Sequence, residues 1–281
     1  MAQDETLFDQ LVFSGGGTRC LWQGGFMHVL RRERSIVPAR IAGVSGGALA
    51  SCGFVLQRGT RVRDTMMERF ARQDRNVPLH EPFDGEAGNS PHQQIYHDVV
   101  RSCIGDDEAA EAIAAGPSLQ ILIGRPPSAG WPKLSGAAVT IAYEADTLVR
   151  STPHLSWAEA AGMTADLVDA NRAAREGRLV DLITAAATIP PAFDPPLWDG
   201  EPAVDAGMVD QAPLPDPDRG RTLVLLTKRF RNLPEVEGRV YVHPSDTVPA
   251  DKIDFTDPQK LRDTWDMGEE DARRALRDGK L

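Results

Sequence analysis

Two glycine-rich turns, Gly15-Gly16-Gly17 and Gly43-Val44-Ser45-Gly46-Gly47, each stand where a short apolar run stops and a helical pattern begins. The first follows FDQLVFS at 8–14 and precedes a pattern over 21–34, with Phe26, Val29 and Leu30 at helical spacing. The second follows a run over 40–44 and precedes a pattern over 47–57. Strand, turn and helix repeated in this way open a parallel sheet, because two parallel strands need a crossover long enough to hold a helix. Both turns then lie at the carboxyl ends of neighbouring strands, the edge where open α/β sheets place their ligands.

Further apolar runs at 119–123 (LQILI), 137–143 (AAVTIAY), 222–227 (TLVLLT) and 239–242 bring the sheet to about six strands, a common size. Ser156 and Glu159 have capping-box spacing, and Asp257-Pro258 sets a cap residue before a first-turn proline, so helices are expected to start at both points. The last helix is expected to run to about Arg277. A chain of 281 residues with no repeat and no dividing linker reads as one domain, 1–281. Irregular stretches at 76–91 and 125–135 fall in a region, 76–157, that reads as an insertion or lid.

A net charge of −10 argues against nucleic acid as a partner, since phosphate binding needs a basic footprint. One local exception spans 57–75, where six arginines alternate with three acids and Met66, Met67 and Phe70 lie alongside. It reads as a solvated helix face, with a docking patch for a lipid surface or a partner as the alternative. The three cysteines, Cys20, Cys52 and Cys103, are odd in number and widely spaced, so neither a disulfide framework nor a metal site is expected. No secretory signal and no apolar run of transmembrane length is visible, which sets a cytoplasmic expectation.

Gly43-Val44-Ser45-Gly46-Gly47 fits Gly-x-Ser-x-Gly, in which a strained turn lifts a serine hydroxyl above the sheet. A serine nucleophile needs a base and donors for the developing oxyanion. Gly15, Gly16 and Gly17 offer such donors, because their amides at a helix start can point at negative charge with no side chain in the way. The same loop lacks the spacing of either phosphate-binding glycine motif, and Cys20 stands where a last glycine would belong.

The base is less marked. Six histidines are scattered, and of these His243, after an apolar run, combines with Asp205 to give the order Ser, Asp, His of a triad esterase. Ser45 stands too early in the chain for that fold. Asp205, in Val204-Asp205-Ala206-Gly207, follows the stiff segment 189–196 and a Trp198-Asp199-Gly200 turn, and small residues after an aspartate suit a tight turn.

Together the pieces resemble the patatin-like phospholipase family. SGGGTRC resembles its oxyanion motif, GVSGG its nucleophile motif, and AATIPPAFDPP followed by VDAG its proline-rich approach to an Asp-Gly motif. The closing TDPQKLRDTWDMGEEDARRAL is similar to the family's last helix. The resemblance implies a three-layer α/β sandwich around a mostly parallel sheet and a lipid acyl hydrolase with a Ser45–Asp205 dyad, no cofactor and no metal. Its substrate would be a lipid or phospholipid, met in a transient contact with a membrane surface. Amides of Gly15, Gly16 and Gly17 would hold the oxyanion, Gly43 and Gly47 would shape the nucleophile turn, and Arg19 would orient the loop or meet substrate. An aspartate can act as base where burial raises its pKa.

Two positions depart from the family pattern: Cys20 and Ala206 both stand in place of glycine. If position 206 has positive φ, alanine there costs about 1–2 kcal/mol. Trp131, Trp157 and Trp198 line an acyl groove or pack in the core. Two alternatives stand beside the dyad, the Ser45–Asp205–His243 triad and a lipid- or partner-binding module that keeps the fold without the activity.

Overall fold

The computed structural model describes residues 6–72, 91–126, 152–154, 162–189, 195–251 and 255–281, with the side chains of 91 and 92 left aside. The first half contributes β1 (Gln10–Phe13), α1 (Leu21–Glu33), β2 (Arg40–Val44), α2 (Gly46–Val55), α3 (Gly59–Phe70), α4 (Pro91–Ile104), α5 (Asp107–Ala115) and β3 (Ser118–Arg125). The second adds β4 (Thr164–Asp169), α6 (Ala170–Arg175), α7 (Leu179–Ala186), β5 (Leu197–Trp198), β6 (Glu201–Pro202), β7 (Val204–Asp205), β8 (Thr222–Leu225), β9 (Arg239–Val242) and α8 (Pro258–Arg277). Short 3-10 turns lie at Gly17–Cys20 and Ala206–Met208.

The sheet runs β4-β3-β2-β1-β8-β9, with the short β7 also paired to β3. From β3 to β9 every neighbour is parallel, while β4 and β7 both meet β3 antiparallel. β1 (QLVF) and β8 (TLVL) are buried from end to end and β2 from Ile41 onward, as expected of strands enclosed on both faces. Their side chains alternate between two cores. Leu11, Phe13, Ile41, Ile121 and Leu225 enter one large cluster that also holds the buried apolar residues of all eight described helices. Val12, Val224 and Leu226 face the other way, toward Ala212 and Leu214, and Val44 and Leu122 meet Ala206. Among the described residues that second face is covered by irregular chain.

Local sequence explains the helix starts. Asp257 accepts hydrogen bonds from the Gln259 and Lys260 amides and is followed by Pro258, so α8 begins where a cap and a first-turn proline predict. Asp106 and Asp169 cap α5 and α6 in the same way. α8 lies against α1 at a separation only glycine permits: a Cβ on Gly25 would fall 2.1 Å from the Trp265 carbonyl oxygen, and one on Gly268 2.2 Å from that of Trp22. Trp22 donates to Asp271 across the same contact at 2.9 Å.

Several expectations change here. β4 and β7 are strands with weak sequence signals, α4 and α5 are helices within the region 76–157 read as an insertion or lid, and the expected strand at 137–143 and helix start at 156 lie outside the described residues. On α3, Met66 and Phe70 are core residues, so they are turned away from any lipid surface. The arginines of residues 58–72 lie in ion pairs, among them Arg69 with Asp98 and Arg72 with Glu68. Trp198 is buried in a two-residue hairpin whose turn, Asp199-Gly200, takes φ of 54° and 85°. The turn chemistry is that of a type I′ hairpin, and Arg178 stacks on the ring at 3.8 Å, so Trp198 has a packing role. Trp131 and Trp157 lie outside the described residues.

Candidate active site

Ser45 leaves β2 with φ 55° and ψ −135°, a conformation an L-residue adopts only at a cost of order 1–3 kcal/mol. The neighbouring glycines make it possible. A Cβ on Gly46 would sit 2.4 Å from the Gly17 carbonyl oxygen, one on Gly47 2.3 Å from that of Phe13, and one on Gly43 3.0 Å from that of Gly47. The start of α2 is thereby pressed into the end of the sheet. Ser45 occupies the N-cap position of α2 but makes no side-chain cap bond, leaving its hydroxyl for another partner at the positive end of the helix dipole.

That partner is Asp205. The hydroxyl of Ser45 donates to Asp205 Oδ2 at 2.5 Å, the length of a hydrogen bond to a charged oxygen. Both residues are buried, at 3 % and 1 % exposure. Asp205 is held by its backbone as well: β7 pairs it with Ile123 of β3, its amide donates to the Thr188 carbonyl at 2.7 Å, and its Oδ1 accepts from the Gly207 amide at 2.7 Å. The carboxylate therefore points from β3 across to the end of β2. Ala206 takes a right-handed 3-10 conformation with φ below zero, so the strain foreseen for alanine at this position is absent. Its methyl group is fully buried against Val44 and Leu122.

The first glycine turn folds down beside this pair. Gly17 has φ 58°, and a Cβ on Gly16 would fall 2.4 Å from Thr227 Oγ1. Buried neighbours pin the loop: Gln23 donates to the Ser14 and Leu225 carbonyls, and Thr227 Oγ1 to the Gly15 carbonyl at 2.6 Å. The expected trio of donors narrows here. The Gly15 amide donates to the Gln211 carbonyl at 2.9 Å and is thus engaged, whereas among the described residues the Gly16 and Gly17 amides meet no protein acceptor. Arg19 forms a 3.6 Å ion pair with Asp251, and Thr18 donates to the Asp251 carbonyl, so the loop is tied to residue 251. Cys20 closes the 3-10 turn in a right-handed conformation, which needs no glycine, and its thiol packs beside Gly46.

Among the described residues, His243 and His154 have other partners. His243 follows β9, three strand spacings or about 14 Å from β2. Its Nδ1 contacts the Pro244 carbonyl, so the triad is not assembled. His154 lies between Asp210 at 3.3 Å and the Tyr241 hydroxyl at 3.0 Å. His80 and the side chain of His92 lie outside the described residues. A residue that sequence reasoning missed is Tyr96 of α4. Its hydroxyl is buried with no partner among the described residues, and burial, reinforced by the nearby Cys20 and Asp205, pushes its pKa up. A lone tyrosine among helical apolar residues carries no signal of such a place.

A family model for patatin-like phospholipase matches residues 11–218, a span that holds both glycine turns and Asp205. The chain belongs to the patatin-like phospholipase family. This is a family of lipid acyl hydrolases, and the mostly parallel sheet with flanking helices agrees with it. A comparison with curated proteins finds no relative that matches. Among the described residues no helix is long and apolar enough to cross a membrane, and no group of three or more His, Cys, Asp or Glu could hold a metal ion.

Proposed function

We propose that the protein hydrolyses carboxylic esters of lipids through an acyl-enzyme on Ser45, with Asp205 as the only proton carrier. The observation that carries this reading is the buried 2.5 Å hydrogen bond from Ser45 to Asp205 on a backbone held in a strained turn. Ser45 Oγ attacks the ester carbonyl carbon while its proton passes to Asp205 Oδ2. The Gly16 and Gly17 amides hold the oxyanion of the tetrahedral intermediate, each such donor being worth about 2.7–4 kcal/mol of barrier. As the intermediate collapses, the bond to the alcohol breaks and Asp205 returns the proton to the leaving oxygen. Water then gives its proton to Asp205, attacks the acyl-enzyme carbonyl, and releases the carboxylic acid with Ser45 restored.

Burial supports the choice of aspartate over histidine, since a dry site strengthens its hold on the serine proton and leaves no competing acceptor in bulk water. The family match favours this reading over a triad, and the backbone at Cys20 and Ala206, which needs no glycine, supports it over an inactive module. Arg19 and Asp251 keep the oxyanion loop in place. The test is labelling by a fluorophosphonate in the wild type, Ser45→Ala, Asp205→Asn and His243→Ala, with the modified peptide identified by mass. Labelling at Ser45 that vanishes in Ser45→Ala, falls on the order of 10⁴-fold in rate in Asp205→Asn, and is unchanged in His243→Ala is the expected result. Equal labelling of Asp205→Asn and the wild type would overturn the dyad.

A further inference from the structure

Behind the nucleophile turn, α1, α2, α3 and α8 meet around a crevice of about 120 Å³. Its inner end is closed by Gly17, Cys20 and Gly46, and among the described residues its lining includes neither Ser45 nor Asp205. Along α2 it follows one helical face from Gly46 through Leu49 to Gly53, a length of about 10 Å by the rise of a helix, and Gln57 lies beyond the end of α2. Met27, Leu49, Met66 and Trp265 make the walls apolar. The residues at the other end, His28, Arg31 and Gln57, are partly or fully exposed and form the mouth.

Arg31 is the unusual member. It is half-buried, lies 5.3 Å over the Phe54 ring, and donates to the Phe54 carbonyl at 3.3 Å. Among the described residues no carboxylate lies within ion-pair distance of it, whereas Arg58, Arg63 and Arg69 on the neighbouring α3 side each have one. Glu269, the acid nearest in kind, is taken by Arg273 and by the Trp265 indole. The other polar groups at this end are cationic or neutral, with Arg32 reaching His28 at 3.5 Å. Burial without a counter-charge disfavours the guanidinium and lowers its pKa.

A narrow apolar slot that opens on an unmatched cation fits one kind of molecule, an amphiphile with a single anionic head. We propose that this crevice binds a medium-chain monocarboxylate, with the carboxylate on Arg31 and the tail lying along Leu49, Met27 and Met66 toward Gly46. Volume limits the tail: an apolar cavity of roughly 150 Å³ takes benzene, so this one encloses a handful of carbons, with the rest lying in the open part. A carboxylate is also the class of acid that ester hydrolysis releases. The site does not rest on the Ser45–Asp205 reading, because among the described residues neither of those two lines it and it shares with the candidate active site only walls of the two glycine turns.

Calorimetric titration of Ser45→Ala protein with octanoate and with octan-1-ol tests this, free of any turnover. Arg31→Gln removes the head contact at a partly exposed position, and Ala50→Phe, also on the lining, fills the slot; cooperative thermal unfolding is recorded for each. Saturable binding of one octanoate per chain is expected, weakened on the order of tenfold or more by Arg31→Gln, with octan-1-ol unaffected. Ala50→Phe weakens both ligands. Absence of saturable octanoate binding, equal octanoate affinity in Arg31→Gln, or a loss of both ligands in Arg31→Gln would each overturn the proposal.

Discussion

The two glycine turns use the same residue for different ends. In the first, the unusual backbone falls on glycine itself, with Gly17 at φ 58°, and what the turn presents is a row of amides. In the second, the unusual backbone falls on Ser45 at φ 55°, and the glycines around it supply clearance, each lying within 3.0 Å, measured from an added Cβ, of a carbonyl oxygen. The first turn spends Gly17 on conformation and Gly16 on clearance from a side chain, whereas the second spends its glycines on clearance from main chain. A substitution in the first should therefore shift donors and be felt in chemistry, while one in the second should push two parts of the main chain apart and be felt in folding.

The strongest challenge to this contrast is Gly46→Ala. Its methyl would meet the Gly17 carbonyl at 2.4 Å, main chain against main chain, so a loss of roughly 3 kcal/mol or more in urea unfolding is expected. Retention of wild-type stability would break the contrast. Gly17→Ala is the matched change in the first turn: a stability cost of about 1–2 kcal/mol, with kcat down on the order of 10²-fold and KM nearly unchanged. A rise in KM alone would mean that the loop binds substrate rather than the oxyanion. Ala206→Gly is the smallest. Position 206 needs neither positive φ nor clearance, so glycine there only frees the unfolded chain and removes a buried methyl, and about 1 kcal/mol of stability is lost with turnover unchanged.

Sequence made the centre of the fold legible because β1, β2 and β8 are enclosed on both faces and each carries a run of adjacent apolar residues after its first. The ends of α8 were legible for a different reason, a local one: Asp257 and Pro258 satisfy its first turn without help from the rest of the molecule. β4 escaped notice because its exposure follows an edge strand with only Leu167 and Val168 as strongly apolar residues. β7 is two residues long and exists through its pairing with β3. In the site, Ser45 and Asp205 carried motif signals. The engagement of the Gly15 amide by Gln211 and the place of Tyr96 depend on contacts between distant segments, which no local pattern encodes.

The partners in the Ser45–Asp205 bond are 160 residues apart in the chain. A ribosome adding about 5–20 residues per second therefore leaves the serine without its carboxylate for roughly 8–32 seconds of every synthesis. During that interval β3, which must be in place before β7 can pair with it, is also being made. The nascent chain thus carries the hydroxyl long before anything can accept its proton, and the pair is completed only when the second half of the sheet closes on the first.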